Sequence, residues 1–354
     1  MFKKYIKIIL LIIVFVLLVF LFLTKSSLFS NKDIVFDRSV NVTDSASDFH
    51  ISTNGLMIFD GKTMYICDKN ANLIKSVSSK NRELKVFFAN NYGFLYDEDV
   101  KKLYEYNETG ELVNTLKLDE YLYNISYKNK NIILHFKGDN QESLKILKSD
   151  GKLYDLYSTS NYILAYDVYG SGAYYAIAEF KIEATGHQNI VTIVKNGNKK
   201  VNSYSSEITL FLSQSKNRTV MVTDKKMYIF LKDNKQSIEI PNISDILIAD
   251  RNIYLLHSNI ISKYNLNLKE KSKTILAANV DRLEKVSNSI YAYGDSDIGG
   301  DLGKAGQFYK RLGTSVDKIE ISGIKIGTMK DGKISLYKVI NSRNFNKNDA
   351  EAGI

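Results

Sequence analysis

Three features predict the fold class: short apolar runs split by tight-turn residues, their return about every 40 residues, and one uncharged apolar stretch at the N-terminus. The expectation is an all-β chain, a β-propeller of eight blades with seven as the alternative, behind a single N-terminal transmembrane helix.

The apolar stretch comes first. Residues Ile8 to Leu23 are sixteen consecutive apolar side chains, and no charge occurs from Ile8 to Thr24. As a helix the stretch covers roughly 25 Å, slightly less than the ~30 Å hydrocarbon layer. Lys7 and Lys25 can extend their amines to the two interfaces and make up the difference. Lys3, Lys4 and Lys7 precede the span and only Lys25 follows closely, which places the N-terminus in the cytoplasm. A cleaved signal peptide is the rival reading, but Leu23-Thr24-Lys25-Ser26-Ser27 offers no small-x-small site. No Cys lies near the end of the span, so lipid attachment there is excluded. The expected organisation is a cytoplasmic start (1–7), an anchor (8–24), a linker (25–32), an extracytoplasmic propeller (33–340) and a tail (341–354). The chain is then a single-pass protein of the cell membrane.

Strands follow. Gly55 to Asp60, Met64 to Asp68 and Leu73 to Val77 are apolar or β-branched runs separated by Gly61-Lys62-Thr63 and Lys69-Asn70-Ala71-Asn72. The same unit returns around Glu108-Thr109-Gly110, Asp150-Gly151, Asn196-Gly197, Asp233-Asn234, Asn267 and Gly313. Asp-Gly and Asn-Gly supply the positive φ of tight hairpins. With Ala71, Gly110, Gly151, Gly197, Asn234, Asn267 and Gly313 taken as equivalent, the spacings are 39, 41, 46, 37, 33 and 46 residues. Their mean matches the roughly 40–45 residues of a four-stranded blade. A pair of β-sandwiches explains short strands but not the period. Asp33 to Val42 also reads as a strand. Paired with strands near Ile334 to Val339, it would close the ring as a composite last blade and leave no free edge.

On this strand grammar, from Asp33 to Ile340, the chain resembles membrane-anchored β-propellers of the quinoprotein-like and WD40-like type in bacterial envelopes. It also resembles anchored propellers of Gram-positive bacteria. The resemblance implies a fold and no particular activity.

Composition narrows the function. Net charge is +9, and without the four lysines of the anchor region it is +5. Attraction to anionic lipid, an anionic wall polymer or glycan is physically allowed, although the lysines are interspersed with acids. Nucleic-acid binding is disfavoured by the location and by the lack of a recognition motif. The lone Cys67 sits in the apolar run Met64-Tyr65-Ile66-Cys67 and reads as a buried hydrophobe. With no Trp, the chain lacks both the Trp-Asp dipeptide of WD40 blades and the Trp on which a quinone cofactor stacks. No cofactor is expected. His50, His135, His187 and His257 have no metal-ligand spacing, and no nucleophile elbow or phosphate loop occurs.

One segment breaks the strand grammar: Gly294 to Gly306, which contains Asp295, Asp297, Gly299, Gly300 and Asp301. Its three aspartates offer hard oxygens and Gly300 stands where a calcium loop turns sharply, but the closing Glu is missing, with Gly306 in its place. Calcium ligation, a solvated flexible loop and a partner-contact loop are the three readings. Lys181 to Gln188, with His187, is a second long connection of the partner-contact kind. The 24 tyrosines suit carbohydrate or peptide contact as well as strand packing.

The resulting expectation is a non-enzymatic, membrane-anchored scaffold that binds another cell-envelope protein in wall assembly, division or secretion. A glycan- or peptide-binding sensing ectodomain is the alternative. A hydrolase with a site on the propeller axis ranks last.

Overall fold

The second and third strands of each repeat carry the densest apolar runs because both faces of their sheet are covered by neighbouring sheets. Gly55–Phe59 and Thr219–Thr223 are buried at every position, whereas the outermost strand Leu73–Ser78 is exposed at nearly all of them. The computed structural model describes residues 13–17, 32–78, 84–184, 186–231, 234–276, 278–302 and 306–341. Within it, eight four-stranded antiparallel sheets follow one another, each running from an innermost first strand to an outermost fourth. We number these blades in chain order, blade one beginning at Asp48 and blade eight at Lys318.

Blade eight is composite. Its first three strands are Lys318–Ser322, Lys325–Lys330 and Lys333–Asn341, and its fourth is the N-terminal strand Lys32–Val40. The pairing runs from Lys32 opposite Asn341 to Val40 opposite Ile334, with a bulge between Phe36 and Arg38. Ile34 is fully buried there. Strands Lys32–Val40 and Lys333–Asn341 therefore seal the ring, as the strand reading of residues 33–42 requires.

Most of the core lies between blades. Phe49, Ile51 and Ile58 of blade one pack against Met329, Ile334 and Leu336 of blade eight. Cys67 joins this cluster, and burial together with the neighbouring Asp68 charge pushes its thiol up to about 11.

The turns carry the period. Ala71, Gly110, Gly151 and Gly197 occupy the same third-to-fourth strand turn of blades one to four, all at positive φ. Polar side chains brace these turns: Asp68 accepts from the N–H groups of Asn70 and Asn72, and Asn107 from those of Thr109 and Glu111. In blade seven the matching turn contains Gly306, whereas Gly313, the position the period assigned, follows the outer strand Phe308–Arg311.

Strand direction gives the ring two ends. One end, here the lower, carries the turns after the first and third strands of each blade. The upper end carries the turns after the second strands and the connections between blades. Lys32 starts its strand at the lower end, where its ammonium sits 2.5 Å from Asp301.

Among the described residues no helix is long and apolar enough to cross a membrane. Of the expected anchor, only residues 13–17 are described; they are helical and each about half exposed. The rest of the anchor, the linker up to Asn31 and the tail beyond Asn341 lie outside the described residues.

Candidate partner-binding face

The acidic, glycine-rich segment of blade seven is not a loop throughout. Asp297–Gly300 is the third strand of the blade, buried along its length, with Gly300 opposite Phe308 and Asp297 opposite Arg311. The sequence misleads here because two glycines and an aspartate have low strand propensity, while the flanking ladder and the Phe308 ring supply the stabilisation. Gly300 serves that ring: a Cβ would overlap Phe308, lying 2.6 Å from Cε1 and 2.8 Å from Cε2. It has no positive φ, so it is not the sharp turn of a calcium loop. Gly299 has only ordinary contacts.

The three aspartates are not brought together. Asp295, in the turn at the upper end, accepts from the Ser315 hydroxyl at 2.9 Å. Asp297 accepts from the Tyr309 hydroxyl, from Arg311 Nε at 3.2 Å and from the Asn279 N–H. Burial raises its pKa, but these donors and the Arg311 charge outweigh burial and hold it below the ordinary range. Asp301 lies past the other end of the strand, bound to Lys32 and the Ser289 hydroxyl. Four strand residues put Asp297 and Asp301 roughly 13 Å apart, too far to share an ion. Among the described residues no group of three or more His, Cys, Asp or Glu could hold a metal ion. Gly303 to Ala305 lie outside the described residues.

The channel holds a polar cluster that only ring closure assembles. His50 of blade one meets Glu320 of blade eight at 3.2 Å, and Lys318 meets Glu320 at 2.9 Å and Asp48 at 2.6 Å. Glu320 also accepts the Ile51 N–H at 2.7 Å. Burial alone would lower His50 and raise Glu320. Their mutual hydrogen bond and charges win, so His50 titrates above and Glu320 below its usual value. The neighbouring Glu284 has one 3.3 Å bond from Tyr293, and burial, with the Glu320 charge adding, pushes it up to about 7. A cleft of about 600 Å³ opens over these side chains. Chemically the cluster is an interblade clamp, since Glu320 spends its oxygens on three donors from blades one and eight.

An exposed aromatic surface lies at the upper end of blades three and four. Here Tyr123 is 58 % exposed and Tyr162 50 % exposed, each on the first strand of its blade. Register shifts between Leu122 and Asn124, which takes Tyr123 out of the regular alternation. The Lys137 ammonium bridges the two rings, 5.0 Å from the Tyr123 centroid and 5.5 Å from that of Tyr162. On the blade-two side, Lys101 lies 4.1 Å over Tyr121. Beneath, His135 meets Tyr123 edge-on at 5.1 Å and bonds Glu142 at 3.0 Å. Glu142 also accepts the Ile163 N–H at 2.8 Å, locking blade three to blade four. Burial outweighs Glu142 and lowers the His135 pKa, so this support is neutral near pH 7.

Blade four extends the surface. Its second and third strands, Tyr174–Glu183 and Gly186–Lys195, have ten residues each and pair as far as Glu183 opposite Gly186. Lys181 to Gln188 is thus a protruding hairpin rather than a long connection; Thr185 at its tip lies outside the described residues. The sequence hides it because Glu183, Gly186, His187 and Gln188 carry no apolar alternation. Phe180 is the register partner of Tyr162 and stacks on His187 at 5.2 Å, while Ile182, opposite His187, is 66 % exposed. His187 therefore belongs to this face, and the aspartates of blade seven do not. Tyr123, Tyr162 and Ile182 are what sequence reasoning missed. Nothing short of the strand register separates an outward tyrosine from an inward one.

No protein-family model matches the sequence, and no curated protein matches it. Solved structures do match, 609 chains in all, so the likeness is to a widespread architecture. BamB from Moraxella catarrhalis aligns with a TM-score of 0.56 at 7 % identity, over 86 % of this chain and 100 % of BamB. Sqt1 from Saccharomyces cerevisiae aligns with a TM-score of 0.57 at 11 % identity, over 87 % and 98 % of the two chains. Hsv2 from Kluyveromyces marxianus gives 0.50 at 10 % identity, over 76 % and 99 %. The chain is an eight-bladed β-propeller. At such identities the likeness carries the fold and leaves function to the surfaces of this propeller.

Proposed function

We propose that this propeller is a non-enzymatic scaffold that binds a segment of another cell-envelope protein on the aromatic face of blades three and four. In this reading residues 8–24 hold it in the membrane with the N-terminus cytoplasmic and the propeller outside. The observation that carries the proposal is the joined surface of Tyr123, Tyr162 and Ile182, half or more exposed yet seated on rigid strands. Tyr loses little side-chain entropy on contact and is a frequent anchor of protein interfaces. Lys101 beside it favours an acidic or carbonyl-rich partner segment, while Lys137 and Lys181 are paired with Glu142 and Glu183. Of the axial carboxylates, Glu320 supports a structural role, because its oxygens are taken by three donors from blades one and eight.

The test replaces Tyr123 and Tyr162 together by Ala in the full chain. Both are surface positions, so the melting temperature should hold. Capture of the envelope partner by in-cell crosslinking should fall at least ~30-fold, the equivalent of one lost interface anchor of about 2 kcal/mol. Undiminished capture would refute the assignment of this face. Retained capture together with loss of wall-glycan retention would favour the glycan-binding alternative.

A further inference from the structure

The opposite end of the ring has a different chemistry. Between blades four and five a groove of about 890 Å³ is rimmed by Lys195, Lys199, Lys200 and Lys216, over a floor that includes Ile193 and Phe230. Lys199 and Lys200 follow the turn after the third strand of blade four, and Lys216 lies in the turn after the first strand of blade five. Both turns are at the lower end. None of the four lysines forms an ion pair among the described residues, and no described acid lines the groove. Four lysines without an acidic partner among the described residues, Lys195 donating only to the Asn217 carbonyl at 3.4 Å, stand over an apolar floor; they match a ligand with phosphate oxygens at one end and hydrocarbon behind them.

Position narrows the occupant. The propeller begins with Lys32 at this same lower end, on blade eight, which stands directly across an eight-membered ring from blade four. The seven residues from Lys25 to Asn31 can span at most ~25 Å, so an anchor in the bilayer keeps the lower end close to the membrane surface. We propose that this groove docks on anionic phospholipid headgroups of the bilayer that carries the chain. The tether then holds blade eight, the lysines hold blades four and five, and the ring lies flat with its aromatic face turned outward. Burial and the like charge of Lys200 hold Lys195 below its ordinary pKa, a strain that an arriving phosphate relieves. Attraction to a charged leaflet acts over about a Debye length, so contact requires the flat pose.

This inference rests on the anchored reading, and its test separates the two. The full chain is placed in nanodiscs of phosphatidylcholine alone or with phosphatidylglycerol, then treated with a bilayer-impermeant amine-acylating reagent and mapped by mass spectrometry. Lys199, Lys200 and Lys216 should acylate at least ~10-fold more slowly in the anionic discs, and 0.5 M salt should erase the difference, ~0.5 M being well above the screening threshold. Lys137 and Lys181 at the upper end should label equally in both. In the Lys199→Gln, Lys216→Gln variant, Lys200 should lose its protection. Equal labelling in both discs overturns the proposal, as does protection by added inorganic phosphate without protection by anionic lipid. If alkaline carbonate strips the chain from native membranes, the anchor fails and the proposal falls with it. If the chain is retained but labelling is equal, the groove alone fails.

Discussion

Replacing Gly300 by Ala separates the strand reading of the acidic segment from the calcium-loop reading. In the structure a Cβ at Gly300 meets Phe308 Cε1 at 2.6 Å and Cε2 at 2.8 Å. The ring has little room to yield. It is 5 % exposed, meets Tyr291 edge-on at 5.8 Å, and packs with Ile34 of the closing strand. Overpacking of this kind costs about 1–3 kcal/mol. At ~2–4 °C per kcal/mol for a domain of this size, Gly300→Ala should lower the melting temperature by ~2–12 °C. The loss should appear in the presence of EDTA, since its cause is the clash with the Phe308 ring. Phe308→Leu on its own should also destabilise, because it removes buried ring atoms. The double variant should lose less than the sum of the singles by at least ~1 kcal/mol, as expected for residues in direct contact. Calorimetry of the four proteins gives the cycle. An unchanged melting temperature for Gly300→Ala, strict additivity, or a calcium-dependent loss would refute the strand assignment.

Other consequences are separately measurable. Glu284 is pushed up to about 7 in the fold, against an ordinary 4.5. The folded state thus binds the extra proton, and this group's contribution is full below about pH 4.5 and lost as pH rises through 7. Glu284→Gln should therefore be more stable than the parent above pH 7, with the gap closing towards pH 4.5; a parallel pair of stability curves would contradict this. Deleting residues 32–40 removes the fully buried Ile34 and the pairing with Lys333–Asn341, exposing a sheet edge. The product should unfold at lower denaturant and aggregate, and a monodisperse product of unchanged stability would disprove composite closure. Cys67, buried and with its thiol pushed up to about 11, should resist thiol reagents at pH 8 until denaturant is added. Labelling in the native state would show that blade one is misassigned.

Much of the architecture could be read from the sequence, because the blade repeat rests on local chemistry. Ala71, Gly110, Gly151 and Gly197 mark one recurring turn, and Asp33 to Val42 reads as a strand without a neighbour in its own repeat, observed as Lys32–Val40. The misses share a cause. In Asp297–Gly300 and Gly186–Gln188, ladder hydrogen bonds and an adjacent ring override residue types that propensity assigns to loops. Function was less legible, since its residues are distant in sequence. His50 and Glu320 meet only once the ring closes, and Tyr123 faces outward because of a bulge that no local pattern marks.

The most direct test of the scaffold reading is a photo-crosslinking scan of the full chain in its native membrane. A photoreactive residue is placed in turn at Tyr123, Tyr162 and Ile182 on the upper face and at the exposed Val113 and Ile275 on outer strands. If the aromatic face is the docking surface, the first three positions trap one common protein and the two rim positions do not. Crosslinks of equal strength from all five positions, or from the rim alone, would contradict it.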